Sequence, residues 1–178
     1  MTFQTQLHQH LKKMIVPTPL GDMLLAASEQ GLAGTWFVRG QKHMPDSDLM
    51  ASWPIAQKGD ASKAILDKAS QQLTQYFSGK LKVFDLPFDL SSGTEFQQNV
   101  WQEIIKIGCG TTNTYGAICK AINKPQAARA VGAATGRNPI GVIIPCHRVV
   151  GSTGAMTGYA GGLERKVALL ALERESLF

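Results

Sequence analysis

Residues 140–150 read IGVIIPCHRVV, in which an apolar run passes through a proline into a cysteine, a histidine and an arginine. The apolar part is short and rich in β-branched side chains, which predicts a buried strand over residues 140–144. A neighbouring imidazole can take the proton of Cys146 and leave a thiolate, the reactive nucleophile. A lone cysteine in apolar surroundings is as often an inert core residue. Both interpretations of Cys146 stay open on this stretch alone.

His147 needs a turn in order to reach Cys146, because neighbours on an extended backbone point to opposite sides. As a base it also needs an acceptor that orients it. The predicted helix over residues 163–174 carries an apolar stripe formed by Leu163, Val167 and Leu170. Glu173 falls on that stripe, and a buried carboxylate has to be paired. A hydrogen bond to His147 would pair it, as in a catalytic triad. Solvation at a frayed helix end, or pairing with an arginine, explains Glu173 equally well.

Asn138 and the glycine-rich residues 157–162 are candidates for the walls of such a site. Asn138 precedes a proline and is held extended, so its amide can bind backbone groups on both sides and brace the cysteine loop. The sequence TGYAGG of residues 157–162 supplies a flexible wall with one aromatic side chain, Tyr159. It is not a dinucleotide fingerprint, because the spacing is wrong and the downstream acidic residue is missing.

Two short predicted helices, over residues 115–122 and 126–135, are joined by a tight turn and resemble a helix-turn-helix. The second helix consists mostly of alanine and glycine, and Arg129 is its only charged residue. A thin helix can approach a DNA minor groove closely, and one long cation can fill a gap in a base stack. Ordinary core packing with a solvated Arg129 is the simpler explanation, and it is preferred on this helix alone.

The first half of the chain predicts a small sheet with a helix. Short strands are expected over residues 14–16, 23–27 and 31–38. Apolar residues recur at helical spacing over residues 61–77, and Gly79 is a plausible stop for that helix. Residues 83–90 contain a proline and are either an edge strand or an extended linker. Thr94 then suits the cap of a helix.

Turn residues cluster at positions 91–93, which divides the chain into a domain of residues 1–92 and a domain of residues 93–178. Most of the net charge of +5 lies in the second domain, which has nine Lys or Arg against five Asp or Glu. This excess fits a polyanionic partner, although a basic protein without such a partner fits equally well.

The composition excludes several classes of protein. The chain has 178 residues, and its longest apolar runs are too short to span a bilayer. Its polar N-terminus lacks the order of a signal peptide, so the cytoplasm is the expected location. Three cysteines without a C-x-x-C pair rule out a disulfide scaffold and a cysteine zinc site. Cys109 and Cys119 have no base beside them and are expected to be structural. The histidines His8, His10 and His43 are expected to be surface residues rather than metal ligands.

The sequence IPCHRV at residues 144–149 closely resembles the reactive-cysteine signature of the methylated-DNA–protein-cysteine methyltransferases, the O6-alkylguanine-DNA alkyltransferases. Further segments follow in the order that this family shows: GTEFQQNVW at 93–101, YG at 115–116, RAVG at 129–132, NP at 138–139, TGYAGGL at 157–163, and Glu173. The resemblance is strong over residues 80–178 and weaker before them, where a TPLG turn is similar to that of bacterial, single-function members.

This resemblance implies an α/β (α+β) fold. A small ribonuclease-H-like antiparallel sheet domain would precede a helical, winged-helix-like domain that binds DNA and carries the reactive cysteine. It implies direct-reversal DNA repair, in which the alkyl group of O6-methylguanine, and of O4-methylthymine, moves irreversibly to Cys146 in a single turnover. The partner would be double-stranded DNA containing O6-alkylguanine, bound by a monomer, with no membrane and no cofactor.

The resemblance also implies roles for the residues of the reaction centre. Cys146 would accept the alkyl group, and His147 would draw its proton through a bound water. Glu173 would hold His147, and Asn138 would brace the active-site turn. Tyr115 would press on the DNA backbone and donate a proton toward the guanine leaving group.

A second set of implied roles concerns DNA and the base. Arg129 would replace the extruded nucleotide in the stack, with Ala130 and Gly132 beside it on the DNA-binding helix. The base pocket would be lined by Val149, Gly158, Tyr159 and Ala160. Many relatives have serine where this chain has Ala160, which leaves the backbone N–H rather than a hydroxyl to contact the base.

Two rival functions share some of these residues. A non-catalytic damage-binding module is one, but relatives of that kind carry tryptophan at the reactive position, where this chain has Cys146. A cysteine hydrolase with a Cys-His-Glu triad is the other, and the triad residues alone do not separate it from an alkyltransferase. The thin helix that carries Arg129 weighs against the hydrolase.

Overall fold

The computed structural model describes residues 10–175. Its first half contains a three-stranded antiparallel sheet in the order β1-β2-β3. The strands are β1 (Lys12–Val16), β2 (Met23–Ala27) and β3 (Leu32–Phe37). Side chains alternate between the faces of a strand, so Met23 and Leu25 join the main core while Leu24 joins a second apolar cluster on the other side. The predicted sheet is confirmed, and β1 begins two residues earlier than expected.

Two helices cover this sheet, α1 (Ser47–Ser52) and α2 (Ala61–Phe77). In α2 the buried positions Leu66, Ala69, Leu73 and Tyr76 lie three or four residues apart and form one face. The helix ends where predicted, because Gly79 adopts a positive φ of 74°. Residues 83–90 form an extended linker with a single bridge from Phe88 to Leu32, so the linker alternative is right.

The second half is mostly helical. Its elements are α3 (Glu95–Ile105), β4 (Asn113–Thr114), α4 (Tyr115–Ala121), α5 (Ala128–Gly136), a 3-10 helix (Cys146–Arg148), β5 (Val149–Val150) and α6 (Leu163–Glu175). Thr94 caps α3 as predicted: its hydroxyl accepts from the Gln97 N–H, and the Gln97 side chain accepts from the Thr94 N–H. Trp101 of α3 donates to the Ala134 carbonyl of α5 at 2.8 Å, which fixes these two helices against each other.

The predicted strand over residues 140–144 is wrong. The segment is buried as expected, but it folds into a turn in which the Ile144 N–H donates to the Ile140 carbonyl. Val142 adopts a positive φ of 69°. The turn meets the sheet at Thr35 of β3, through a bridge to Ile140 and a hydrogen bond from the Thr35 hydroxyl to the Gly141 carbonyl at 2.6 Å. An apolar run shows that a segment is buried but does not distinguish a strand from a turn.

The apolar stripe expected on α6 is right for Leu170 and wrong for its other two members. Leu163 and Val167 are about half exposed, at 50% and 47%. The buried face consists of Lys166, Leu169, Leu170 and Glu173. Lys166 faces inward because its ammonium donates to the carbonyls of Val149 and Thr157, at 2.7 and 3.0 Å. Glu173 is buried as predicted and shares the buried face with Leu170.

The remaining cysteines and the described histidines form no metal site. Cys119 is buried and Cys109 half-buried, both as free thiols. His10 and His43 are exposed, and His8 lies outside the described residues. Between residues 10 and 175, no three His, Cys, Asp or Glu side chains gather into a metal-binding group. Over the same residues, no helix is both long enough and apolar enough to cross a bilayer.

Candidate active site

A cavity of about 310 Å³ opens beside α5, within the range of ligand pockets. The second half of the chain contributes Tyr115, Gly132, Thr135, Gly136, Cys146, Gly158, Tyr159 and Ala160 to its wall. Lys42 and His43 reach it from the first half. Cys146 is 7% exposed, so the buried thiol has access to the cavity.

Cys146 is the first residue of the 3-10 helix, so a turn rather than an extended backbone carries Cys146 and His147. The Asn138 amide donates to the Cys146 sulfur at 3.1 Å and to the Ile144 carbonyl at 2.9 Å. Its oxygen accepts from the Ile140 N–H at 3.0 Å. Asn138 thus connects both ends of the apolar turn to the sulfur. These are the contacts that its expected bracing role requires.

Burial raises the pKa of the Cys146 thiol, because a thiolate loses hydration there. The Asn138 hydrogen bond and the Lys166 charge favour the thiolate and offset part of this effect. Lys166 is itself affected, since burial lowers its pKa and the nearby Cys146 acts in the opposite direction. The resting site therefore holds a thiol that needs a base.

Asn138→Ala should raise the pKa of Cys146 further, because the thiolate loses a hydrogen-bond donor. Labelling of Cys146 with iodoacetamide should slow by about tenfold near pH 7, since one charge-assisted hydrogen bond contributes on the order of 1.5–3 kcal/mol. The measurement is the labelling rate of Cys146 against pH. Asn113→Ala, which removes an acceptor for the Thr114 N–H, serves as the control. Identical titration curves for Asn138→Ala and the unmodified protein would refute a role for Asn138 at the sulfur.

His147 and Glu173 form the pair that would activate this thiol. His147 Nε2 lies 2.8 Å from Glu173 Oε1, and the two side chains are 0% and 1% exposed. Because a carboxylate only accepts, Nε2 carries the proton and Nδ1 keeps a lone pair. Nδ1 is buried and has no hydrogen-bond partner among residues 10–175. Burial lowers the pKa of His147, the hydrogen bond and charge of Glu173 raise it, and the charges of Arg148 and Lys166 lower it again. The net effect is a lowered pKa, which favours the neutral imidazole that can accept a proton.

Glu173 has more partners than the sequence indicated. The Arg148 guanidinium donates to both of its oxygens, at 2.8 to 3.1 Å, and also to the Ile107 carbonyl. The Tyr76 hydroxyl donates to Oε1 at 2.7 Å, and the Gly110 N–H to Oε2 at 3.2 Å. Burial raises the pKa of Glu173, but hydrogen bonds from His147 and Arg148 outweigh it and hold the pKa well below its ordinary value. Glu173 thus binds both the histidine and an arginine, which the sequence offered as alternatives.

The loop of residues 157–162 forms one wall of the cavity. The Tyr159 ring packs edge-on against the His147 ring, with the two ring centroids 6.3 Å apart. Burial raises the pKa of the Tyr159 hydroxyl. The Ala160 carbonyl accepts from the Lys42 N–H at 2.8 Å, which holds the loop to the first half of the chain. Val149, also expected in the base pocket, is fully buried and is not part of the cavity wall.

Lys42 and His43 carry no signal in the sequence that connects them to the site, and His43 was expected on the surface without a role. They lie more than a hundred residues from Cys146, and no local pattern marks them. Only the tertiary fold brings them to the cavity, through the hydrogen bond between Lys42 and Ala160.

The two helices of the expected helix-turn-helix are α4 and α5. Tyr115 begins α4, lines the cavity and accepts a hydrogen bond from the Thr157 hydroxyl at 3.1 Å. Gly132 of α5 also lines the cavity, while Arg129 and Ala130 are exposed on the same helix. Among the alanines Ala134 is buried, but three others are exposed, so core packing explains the composition of α5 only in part.

Cys146 lines one cavity together with Gly132, Thr135 and Gly136 of α5, and His147 follows Cys146 in the 3-10 helix. Residues 95–175 match the family described as 6-O-methylguanine DNA methyltransferase, DNA binding domain, and residues 11–90 match its ribonuclease-like domain. The chain belongs to this family of methylated-DNA–protein-cysteine methyltransferases.

Individual relatives agree with this assignment. The methylated-DNA–protein-cysteine methyltransferase of Methanosarcina barkeri is 45% identical over 163 residues, 92% of this chain and 97% of the relative. The Mycobacterium bovis protein of the same name is 54% identical over 159 residues, 89% of this chain and 90% of the relative.

Solved structures are similar as well. The crystal structure of Mycobacterium tuberculosis O6-methylguanine methyltransferase has a TM-score of 0.80 at 38% identity and covers 93% of this chain and 94% of its own. A structure of the Mycobacterium tuberculosis protein in complex with DNA has a TM-score of 0.78 and covers 94% of each chain, again at 38% identity. The resemblance in sequence and the expected fold, a small antiparallel sheet followed by a helical domain, are confirmed.

Proposed function

We propose that this chain repairs alkylated double-stranded DNA by moving one alkyl group from O6 of guanine to the sulfur of Cys146. The observation that carries the proposal is that this sulfur lines a cavity bordered by α5 while His147 and Glu173 pair beside it. The named relatives are methyltransferases of methylated DNA, and one structural relative was solved with DNA.

The reaction begins with the transfer of the thiol proton to His147 Nδ1 through an intervening water. The thiolate attacks the methyl carbon, the bond from that carbon to O6 breaks, and the electron pair stays on the guanine. A proton donated by Tyr115 makes the guanine a better leaving group, and the proton held by His147 then returns to the Tyr115 phenolate through solvent. The products are S-methylcysteine and unmodified guanine. A thioether has no carbonyl for water to attack, so the protein reacts once, and the balance requires no cofactor.

The alkylated base lies inside the duplex, so its nucleotide has to be extruded into the cavity. The exposed alanines of α5 allow a close approach to the groove, and Arg129 enters the gap that the base leaves. Because lesions occur anywhere, backbone and shape contacts rather than base contacts supply the affinity. O4-methylthymine offers the same kind of O-alkyl carbon to the sulfur and is proposed as a second substrate. The protein acts as a monomer.

A titration with duplex DNA containing O6-methylguanine tests this function. The repaired amount should reach a plateau at one lesion for each protein molecule. Binding without loss of the methyl group would indicate a damage-binding module instead. Continuous turnover of a simple ester by Cys146 would indicate a cysteine hydrolase.

Arg129→Ala should slow transfer from duplex DNA by about tenfold or more, because filling the base stack offsets part of an unstacking cost of a few kcal/mol. Transfer from free O6-alkylguanine should change by less than about twofold, since no stack has to be filled. Transfer rates on both substrates measure the difference. Lys80→Ala removes an exposed charge from the first half and controls for net charge. Equal losses on the two substrates would remove the role of Arg129 in extrusion.

A further inference from the structure

Tyr76 connects the first half of the chain to the active site. It lies on α2, is 2% exposed, and is 97 residues from Glu173 in sequence. Its hydroxyl nevertheless donates to Glu173 Oε1 at 2.7 Å. This hydrogen bond joins a helix of the first half to the carboxylate that holds His147.

Core packing accounts for the ring of Tyr76 but not for its hydroxyl. The centroid of the Tyr76 ring lies 5.3 Å from the ring centroids of both Phe77 and Phe84. A phenylalanine at position 76 would therefore fill the same space. The hydroxyl is bonded to the carboxylate oxygen that also accepts from His147 Nε2 at 2.8 Å. Tyr76 and His147 thus share the lone pairs of one oxygen atom.

We propose that Tyr76 is a positioning residue for the transfer reaction: its hydroxyl fixes Glu173, and through Glu173 it sets the orientation and the proton affinity of His147. The first half of the chain would then be a working part of the active site. The inference rests on the proposed function, because the transfer reaction is what His147 serves.

The direction of the effect follows from the charges around the pair. The groups around His147 and Glu173 come from five segments: Tyr76, Cys109, Cys146, Arg148, Tyr159, Lys166. Arg148 keeps Glu173 ionised when the Tyr76 hydroxyl is removed. The carboxylate then has one donor fewer and attracts the imidazolium more strongly. His147 should therefore hold its proton to a higher pH than before.

Tyr76→Phe tests the inference with two measurements. NMR titration of the His147 ring should show its midpoint raised by roughly half to one pH unit, since the carboxylate that loses a hydrogen-bond donor attracts the imidazolium more strongly. In a plot of the rate of transfer from free O6-alkylguanine against pH, the acid limb should also move to higher pH. The rate near pH 7 should fall by roughly three- to tenfold.

Phe77→Leu is the matched control, because it removes packing against the Tyr76 ring and keeps the hydroxyl. Urea unfolding shows whether the two variants lose similar stability. Unchanged midpoints in Tyr76→Phe, or equal shifts in Phe77→Leu, would overturn the inference. Failure of the unmodified protein to accept a methyl group would overturn the proposed function, while the NMR titration would still decide the role of Tyr76.

Discussion

Cys146→Ala is expected to abolish methyl transfer while leaving binding of DNA that contains O6-methylguanine. The sulfur is the atom that forms the new bond, and removing a covalent nucleophile costs on the order of 10⁶-fold in rate. In the proposed function, binding depends on α5 and on the cavity wall, from which the substitution removes only the sulfur atom. Single-turnover transfer from duplex DNA measures the first effect, and a gel-shift titration measures the second.

Cys119→Ala is the control for this variant, because it also removes one sulfur from a buried position. Cys119 is part of the core and is not part of the cavity wall. Its replacement should leave transfer nearly unchanged. Undiminished transfer by Cys146→Ala would defeat the assignment of Cys146 as the acceptor.

Glu173→Gln is expected to reduce both stability and transfer. The Arg148 guanidinium would stay buried without its carboxylate, and leaving one member of a buried ion pair costs about 3–5 kcal/mol. The amide would also no longer stabilise a protonated His147, so transfer should fall by about a hundredfold or more. Urea unfolding and single-turnover transfer measure the two effects. Glu175→Gln, an exposed change on the same helix, should alter neither. If the two variants behave alike, Glu173 is not the centre of this network.

The same carboxylate makes stability depend on pH. The pKa of Glu173 is lowered in the folded protein, so the unfolded chain takes up its proton first as the pH falls. The stabilisation is present above the pKa of this carboxyl in the unfolded chain, about 4.5, and is lost as the pH falls below that value. Burial also lowers the pKa of His147, which adds a loss of stability below about 6.5. Glu173→Gln should remove the first of these two losses from a plot of unfolding free energy against pH.

Much of the fold is visible in local sequence. The helix over Ala61–Phe77 follows from apolar spacing, and the start of α3 follows from the hydrogen-bonding capacity of Thr94. The apolar turn before Cys146 could not be predicted, because an apolar run indicates burial without fixing the backbone angles. The inward position of Lys166 on α6 was missed because lysine is a residue type of solvated positions, and the carbonyls of Val149 and Thr157 explain its burial.

Some contacts of the active site could be predicted from the sequence, and others could not. A carboxylate on a helix that packs inward has to be paired, and this requirement alone points from Glu173 to His147 or an arginine as its partner. Tyr76 and Lys42 could not be found in this way, because their contacts with Glu173 and Ala160 join distant parts of the chain. A buried tyrosine hydroxyl needs a hydrogen-bond partner, so the sequence indicates that Tyr76 has one if its ring is buried. The sequence does not indicate that this partner is Glu173.

The most direct test of the central claim is peptide mass spectrometry after reaction with duplex DNA that contains O6-methylguanine. One methyl group should appear on the peptide that contains Cys146, in an amount equal to the guanine restored. A methyl group on Cys109 or Cys119, or restored guanine with an unmodified Cys146, would contradict the account.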